Sequence, residues 1–82
     1  MRTLRGEYTT SRDGGITYTY ELTWHMAEGD WINWTFEARV RDRLAGRSSG
    51  QVMRPASPDV DGFMRNLVCD AIEHRRMMRA RD

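Results

Sequence analysis

Residues 16–40 read ITYTYELTWHMAEGDWINWTFEARV, and the alternation in this stretch decides the fold. Ile16, Tyr18, Tyr20, Leu22, Trp24 and Met26 share one parity; Thr17, Thr19, Glu21, Thr23 and His25 share the other. Side chains of a strand alternate between faces with period two, so this is the pattern of a half-buried β-strand. The second half repeats it. Ile32, Trp34, Phe36, Ala38 and Val40 form an apolar set, and Trp31, Asn33, Thr35, Glu37, Arg39 and Arg41 form a polar one. Ala27-Glu28-Gly29 lies between them and reads as a three-residue hairpin loop, with Gly29 at the position that needs positive φ. That loop predicts Met26 opposite Asp30, Trp24 opposite Ile32, Leu22 opposite Trp34, Tyr20 opposite Phe36 and Ile16 opposite Val40. A two-residue loop at Glu28-Gly29 would pair Trp24 with Asn33 and split both faces, so the pattern rejects it.

Upstream, residues 3–11 read as a poorer strand with Leu4, Tyr8 and Thr10 on one face and Gly6 among them. Two turns keep the faces aligned. With Arg12-Asp13-Gly14 as the loop, Leu4 meets Leu22, Tyr8 meets Tyr18, Arg5 meets Glu21, and Gly6 lies under the Tyr20 ring. With Asp13-Gly14-Gly15 as the loop, Glu7 would face Glu21, and directly opposed like charges are unfavourable in a sheet. The first register is therefore expected.

Downstream the alternation dissolves. Gly46, Ser48, Ser49 and Gly50 mark residues 44–56 as a flexible loop, with 51–54 as a candidate short fourth strand. Ser57 reads as a helix N-cap, Pro58 suits the first helical position, and Asp59 and Asp61 complement the positive end of the helix dipole. The helix is predicted over 58–79, with Val60, Phe63, Met64, Leu67, Val68, Ala71, Ile72 and Met78 as its apolar stripe. Gly62 reads as a weak point, at a cost of about 1 kcal/mol relative to alanine. A helix of that length is about 33 Å long, and so is a ten-residue strand. The expected fold is a single two-layer α+β domain over 1–82. A three-stranded antiparallel β-meander (3–43) is covered on one face by a long C-terminal helix, in the order βββα.

At 82 residues with 39% hydrophobic content, the core is small, so self-association into a homodimer would help it. The net charge of +1 speaks against a strongly basic nucleic-acid binder. The distribution is less even: residues 31–54 carry five Arg against two acids, whereas residues 1–30 carry three against five. All 13 basic residues are Arg, which fits the codon usage of a GC-rich genome, such as that of a bacterium or phage. A single cysteine excludes an internal disulfide and a multi-cysteine metal site. No secretory leader or membrane span is read, so a cytoplasmic setting is expected.

Four places could carry chemistry. His25 sits on the polar face with Trp31 expected opposite, but no nucleophile accompanies it and Glu21 is about 13 Å along the strand. Cys69, Asp70, Glu73 and His74 are close on the helix, but a metal site needs three or four ligands and its second half is missing. Cys69 is expected on the helix back, away from the stripe, where a partner could cover it. Arg39, Arg41 and Arg43 recur every second residue on the open sheet face near Trp31, a weak likeness in kind to a single-stranded nucleic-acid platform. Glu7, Glu21 and Glu37 share that face and would repel phosphate. Finally, Arg75, Arg76 and Arg79 crowd the helix end beside Met77 and Met78, which could form an adaptable contact. No phosphate loop, HExxH, CxxC or nucleophile elbow is present. The expected function is thus a non-enzymatic interaction protein, without cofactor or metal, that binds a protein partner or itself. The alternative is a weak single-stranded nucleic-acid binder using Arg39, Arg41 and Arg43 on the open face and the helix-end Arg75, Arg76 and Arg79, with His25 and Trp31 as further candidate contacts for a partner or nucleic acid.

Overall fold

A computed structural model describes residues 1–12 and 14–79, the last of these by its backbone only. The strands are β1 (Arg2–Thr9), β2 (Thr17–Met26), β3 (Trp31–Val40), β4 (Arg43–Met53) and the two-residue β5 (Met78–Arg79); one helix, α1 (Val60–Glu73), lies between the last two. The fold is α+β: a four-stranded antiparallel sheet in the order β1-β2-β3-β4, with β5 appended to part of the β4 edge. No helix among the described residues is long and apolar enough to cross a membrane.

The β1–β2 register is the one expected. Leu4 faces Leu22, Tyr8 faces Tyr18, and Arg5 faces Glu21, with 2.8 Å between the Arg5 guanidinium and the Glu21 carboxylate. Gly6 lies opposite Tyr20. Of the Arg12-Asp13-Gly14 turn, Asp13 lies outside the described residues; Gly14 has φ +75°.

The β2–β3 register differs from expectation by two residues. Met26 faces Ile32, Trp24 faces Trp34, Leu22 faces Phe36 and Tyr20 faces Ala38. The loop is Glu28-Gly29-Asp30, closed by a hydrogen bond from the Ala27 N–H to the Trp31 carbonyl at 2.6 Å. Both Gly29 (φ 67°) and Asp30 (φ 63°) are left-handed. Aspartate tolerates that conformation, so the loop can slide by one residue. Met26 then gains an apolar neighbour in place of Asp30. Because the shift is even, every side chain keeps its predicted face.

The largest correction is β4. Residues 43–53, expected to be mostly loop, form an eleven-residue strand along the whole of β3. The hairpin turn is Arg41-Asp42, both left-handed at φ 52° and 66°, which is turn geometry normally supplied by Asn-Gly or Asp-Gly. A register shift between Ala38 and Arg39 leaves Ala45 unopposed. The inward positions of β4 are Gly46, Ser48, Gly50 and Val52, opposite Ala38, Phe36, Trp34 and Ile32. They are small because larger groups lie over them. A Cβ on Gly50 would come within 3.0 Å of the Trp34 indole, and one on Gly46 within 2.9 Å of the Met77 Cβ.

The helix is also shorter than expected, at 14 residues rather than 22. Asp59, not Ser57, is the N-cap: its carboxylate accepts the Gly62 N–H at 2.9 Å, while the Ser57 hydroxyl accepts the Asp59 N–H at 3.2 Å. At the other end Arg75 turns left-handed (φ 55°). Its N–H bonds the Ile72 carbonyl and that of Arg76 bonds the Ala71 carbonyl, a Schellman closure without glycine. The tail then lays Met77 over Gly46, a contact that a helix continued to 79 could not make.

The predicted stripe packs as expected over the helix itself. Met64, Val68, Ala71 and Ile72 are buried with Leu4, Tyr20, Leu22, Ile32, Phe36 and Ala38. Met78 lies beyond the helix and is 72% exposed. Polar clamps hold α1 to the β1 side of the sheet. Arg2 forms a two-pronged ion pair with Asp61, and Arg65 bonds the Tyr20 hydroxyl at 3.1 Å. Glu73 accepts from the Tyr8 hydroxyl at 2.7 Å and the Ser11 N–H at 2.8 Å, while Arg12 donates to the last helix carbonyls, of Ile72 and Glu73. With the helix fastened there, the opposite margin of the sheet belongs to β4.

Candidate partner interface

The face of the sheet away from α1 has no layer over it among the described residues. Its central row runs Arg5, Glu21, Glu37, Arg47 across four strands. Glu21 and Glu37 stand directly opposite each other, an unfavourable pair relieved from both sides. Arg5 lies 2.8 Å from Glu21, and Arg39 lies 3.4 Å from Glu37. These pairs are exposed and individually weak. They interleave acids with the arginines along this row.

The Arg set expected on this face does not assemble. Arg39 projects from it toward Glu37, Arg41 sits in the β3–β4 turn, and Arg43 pairs with Val40 on the opposite side of the sheet. Trp31 is also not opposite His25, as the expected register had it. His25 faces Asn33, with 3.5 Å between its Nε2 and the Asn33 amide nitrogen. Asn33 in turn accepts from the Gln51 amide at 2.6 Å. Trp31 instead faces Met53, and the two are 41% and 51% exposed.

Cys69 is not on an uncovered back. It is half-buried and packs against the core, and this burial pushes its thiol pKa up. The helix is rolled so that its Arg65, Cys69, Glu73 edge meets β1. Cys69 therefore gives no reason to place a partner on α1. The same roll explains Glu73, whose carboxyl is held below its ordinary range by the Tyr8 hydroxyl and the Ser11 N–H. At the helix start, the Arg2 hydrogen bond and charge do the same for Asp61. Both carboxylates serve the clamp. His74 is exposed and 3.4 Å from Asp70, as its spacing implied, but it does not border the core. No group of three His, Cys, Asp or Glu side chains placed to hold a metal occurs among the described residues.

What the structure does assemble lies along the β4 margin. β5 pairs with Gly46 and Arg47 only, and no other described strand pairs with β4 on that side. The segment from Ser48 to Met53 reads SSGQVM, without a charge or a proline, bounded by Arg47 and by Arg54-Pro55. Exposed strand edges are ordinarily guarded by charges, prolines or covering segments. The other sheet edge follows that rule, with Arg2, Arg5 and Glu7 on β1 and the helix clamped beside it. At one end of the unguarded segment stand Met53 and Trp31. At the other, the tail diverges from β4 and leaves an open cleft of about 530 Å³ lined by Arg47, Ser48, Ser49, Arg75, Arg76 and Met77. Arg76 also reaches the Asp70 carboxylate at 3.4 Å. Arg79 contributes its backbone to β5; its side chain lies outside the described residues.

Trp31, Arg75 and Arg76 from the sequence reading therefore fall on one margin, whereas His25, Arg39, Arg41, Arg43 and Cys69 do not join them. Arg47 was missed because its segment read as loop, and Met53, although within the candidate short strand 51–54, was not singled out. The only signal for it was the uncharged run between two arginines. Comparison with protein-family models, with curated proteins and with solved structures gives no match.

Proposed function

We propose that this chain is a non-enzymatic protein-interaction module that binds an extended polypeptide segment along the free edge of β4. The observation that carries this reading is the uncharged run Ser48–Met53, whose outer edge pairs with no described strand and is flanked by the exposed Trp31–Met53 pair. An incoming strand gains backbone hydrogen bonds from such an edge, and an apolar pair beside it adds side-chain contact. The segment could come from another protein or from a second copy.

Sedimentation equilibrium at micromolar concentration separates the two sources. A 9.6 kDa species removes the homodimer, whereas a dimer that dissociates when Met53 becomes lysine establishes it. The nucleic-acid alternative draws less support, because Arg5 and Arg39 are already engaged by Glu21 and Glu37. Tight single-strand binding that weakens steeply with salt and is lost in Arg39→Glu would favour it over the present reading.

A further inference from the structure

Resting on the edge reading, we propose that the segment bound is β4 of a second copy of this chain, paired antiparallel about a two-fold axis through Gln51. The argument starts from the groups that the edge offers. The Arg54 N–H bonds the Asp30 carbonyl on the β3 side, and the Trp31 carbonyl is turned away to Ala27. Backbone groups alternate sides along an antiparallel strand. Ser48, Gly50 and Val52 are therefore turned to β3, and Ser49, Gln51 and Met53 to the free edge.

These three residues are symmetric about Gln51. Under a two-fold there, Gln51 meets Gln51 of the other copy, and Ser49 meets Met53 in both directions. Each is a pair that exchanges two backbone hydrogen bonds, so every outward N–H and C=O from Ser49 to Met53 is satisfied. An axis through Gly50 would instead set Met53 against Arg47, whose outward groups already face Met78. The ends agree as well. Arg47, where β5 closes the edge, lies four residues before Gln51, and Pro55, which has no N–H to offer, lies four after it. The axis puts these two stops side by side. Each chain leaves the strand there for the start of α1, which Arg2 holds at the far edge of the sheet.

The side chains suit the same pairing. An axis normal to the sheet keeps both helices on one side of a single continuous sheet. On that side Val52 meets Gly50 of the other copy, an exposed residue beside the Trp34 indole. Val52 and Trp34 are each only partly buried in one copy, and the second adds apolar contact to both. On the opposite side Ser49 extends the Met53–Trp31 pair. The Gln51 amides meet across the axis, each tied to its own Asn33 at 2.6 Å. No charged side chain from Ser49 to Met53 opposes its own copy, as a self-complementary interface requires.

The test is sedimentation equilibrium of the full chain across the micromolar range. A dimer that dissociates on dilution is expected, since one strand pair is a small interface. Gln51→Pro removes an N–H that β3 does not use, so the circular dichroism should persist while dimer affinity falls about tenfold or more. Gln51→Glu and Gln51→Lys should each weaken self-association about two- to fivefold, and mixing them should restore it, because residue 51 faces its own copy. This charge pair decides the register even if the proline variant fails to fold. The Ser49, Gln51 and Met53 amides should gain protection from hydrogen exchange as concentration passes the dissociation constant. A monomer at every concentration with these amides exchanging freely would overturn the second-copy inference and leave the edge reading in place. A monomer in which they are protected would overturn both. A dimer indifferent to Gln51→Pro, or one in which mixing the Glu and Lys variants gains nothing, would overturn the pairing proposed.

Discussion

Replacing Phe36 by alanine is expected to destabilise the protein by about 3–5 kcal/mol, the range for deleting a fully buried aromatic ring. Phe36 is 1% exposed at the centre of β3. Its neighbours across the strands are Leu22 on β2 and Ser48 on β4, and it stacks on Trp34 with ring centroids 5.9 Å apart. The site is poor at collapsing. Ser48 is too small to reach into the gap, and the helix that covers the core is tied to β1 by its polar clamps. Small domains have net stabilities on the order of 5–15 kcal/mol, so the variant should unfold at far lower urea or fail to fold. Urea titration followed by circular dichroism measures this directly. A loss below about 1 kcal/mol would show that the ring is not where the core closes.

Gly6→Val is expected to destabilise by about 1–3 kcal/mol, the usual cost of overpacking, although strand propensity alone would favour valine by up to about 1 kcal/mol. The sign is therefore diagnostic. A Cβ at residue 6 would lie 2.6 Å from the Tyr20 hydroxyl and 2.7 Å from its ring carbon Cζ. Tyr20 is buried and has little room to withdraw, because its hydroxyl is held by Arg65 at 3.1 Å. Moving the ring would disturb a clamp between helix and sheet as well as the core. The double variant Gly6→Val, Tyr20→Leu removes the hydroxyl and should recover part of the loss. A stabilised single variant would mean that the ring does not cover the glycine.

These two sites also show how much of the fold the sequence makes legible. The Tyr20 cover on Gly6 follows from the β1–β2 register, which opposite charges select: Arg5 against Glu21 is favourable and Glu7 against Glu21 is not. The β2–β3 faces are legible for a different reason. Period-two alternation fixes which side each residue takes, but it is blind to an even slip. Whether Ala27 or Glu28 begins the loop turns on the tolerance of Asp30 for a left-handed backbone, and alternation carries no trace of that.

The strand β4 is hidden by complementarity. Where Trp34 and Met77 fill the space above a strand, the positions beneath them must be small, so Gly46, Ser48 and Gly50 look like loop. The end of the helix is hidden in a similar way. Residues 74–79 contain no glycine or proline, and the left-handed turn falls on Arg75. Packing of Met77 on Gly46 accompanies the break there, overriding local helix propensity. The candidate interface depends on these two features together, which is why Trp31, Arg75, Arg76 and Met77 stood out in the sequence while Arg47 and Met53 did not. Reading Cys69 as exposed failed because helical spacing gives a face but not the roll of that face against the sheet.

The central claim is that β4 is a strand paired to β3 on one side and, from Ser48 to Met53, free of any described strand on the other. Amide hydrogen exchange of the uncomplexed protein, residue by residue from Arg43 to Met53, tests it most directly. In an edge strand, successive N–H groups point alternately toward the neighbour and away from it. From Ser48 to Met53 the expected result is alternation: amides directed at β3 are protected, and those between them exchange close to the rate of unstructured chain. Uniformly fast exchange would return this segment to a loop, and uniformly slow exchange would show that its edge is already covered; either result contradicts the account.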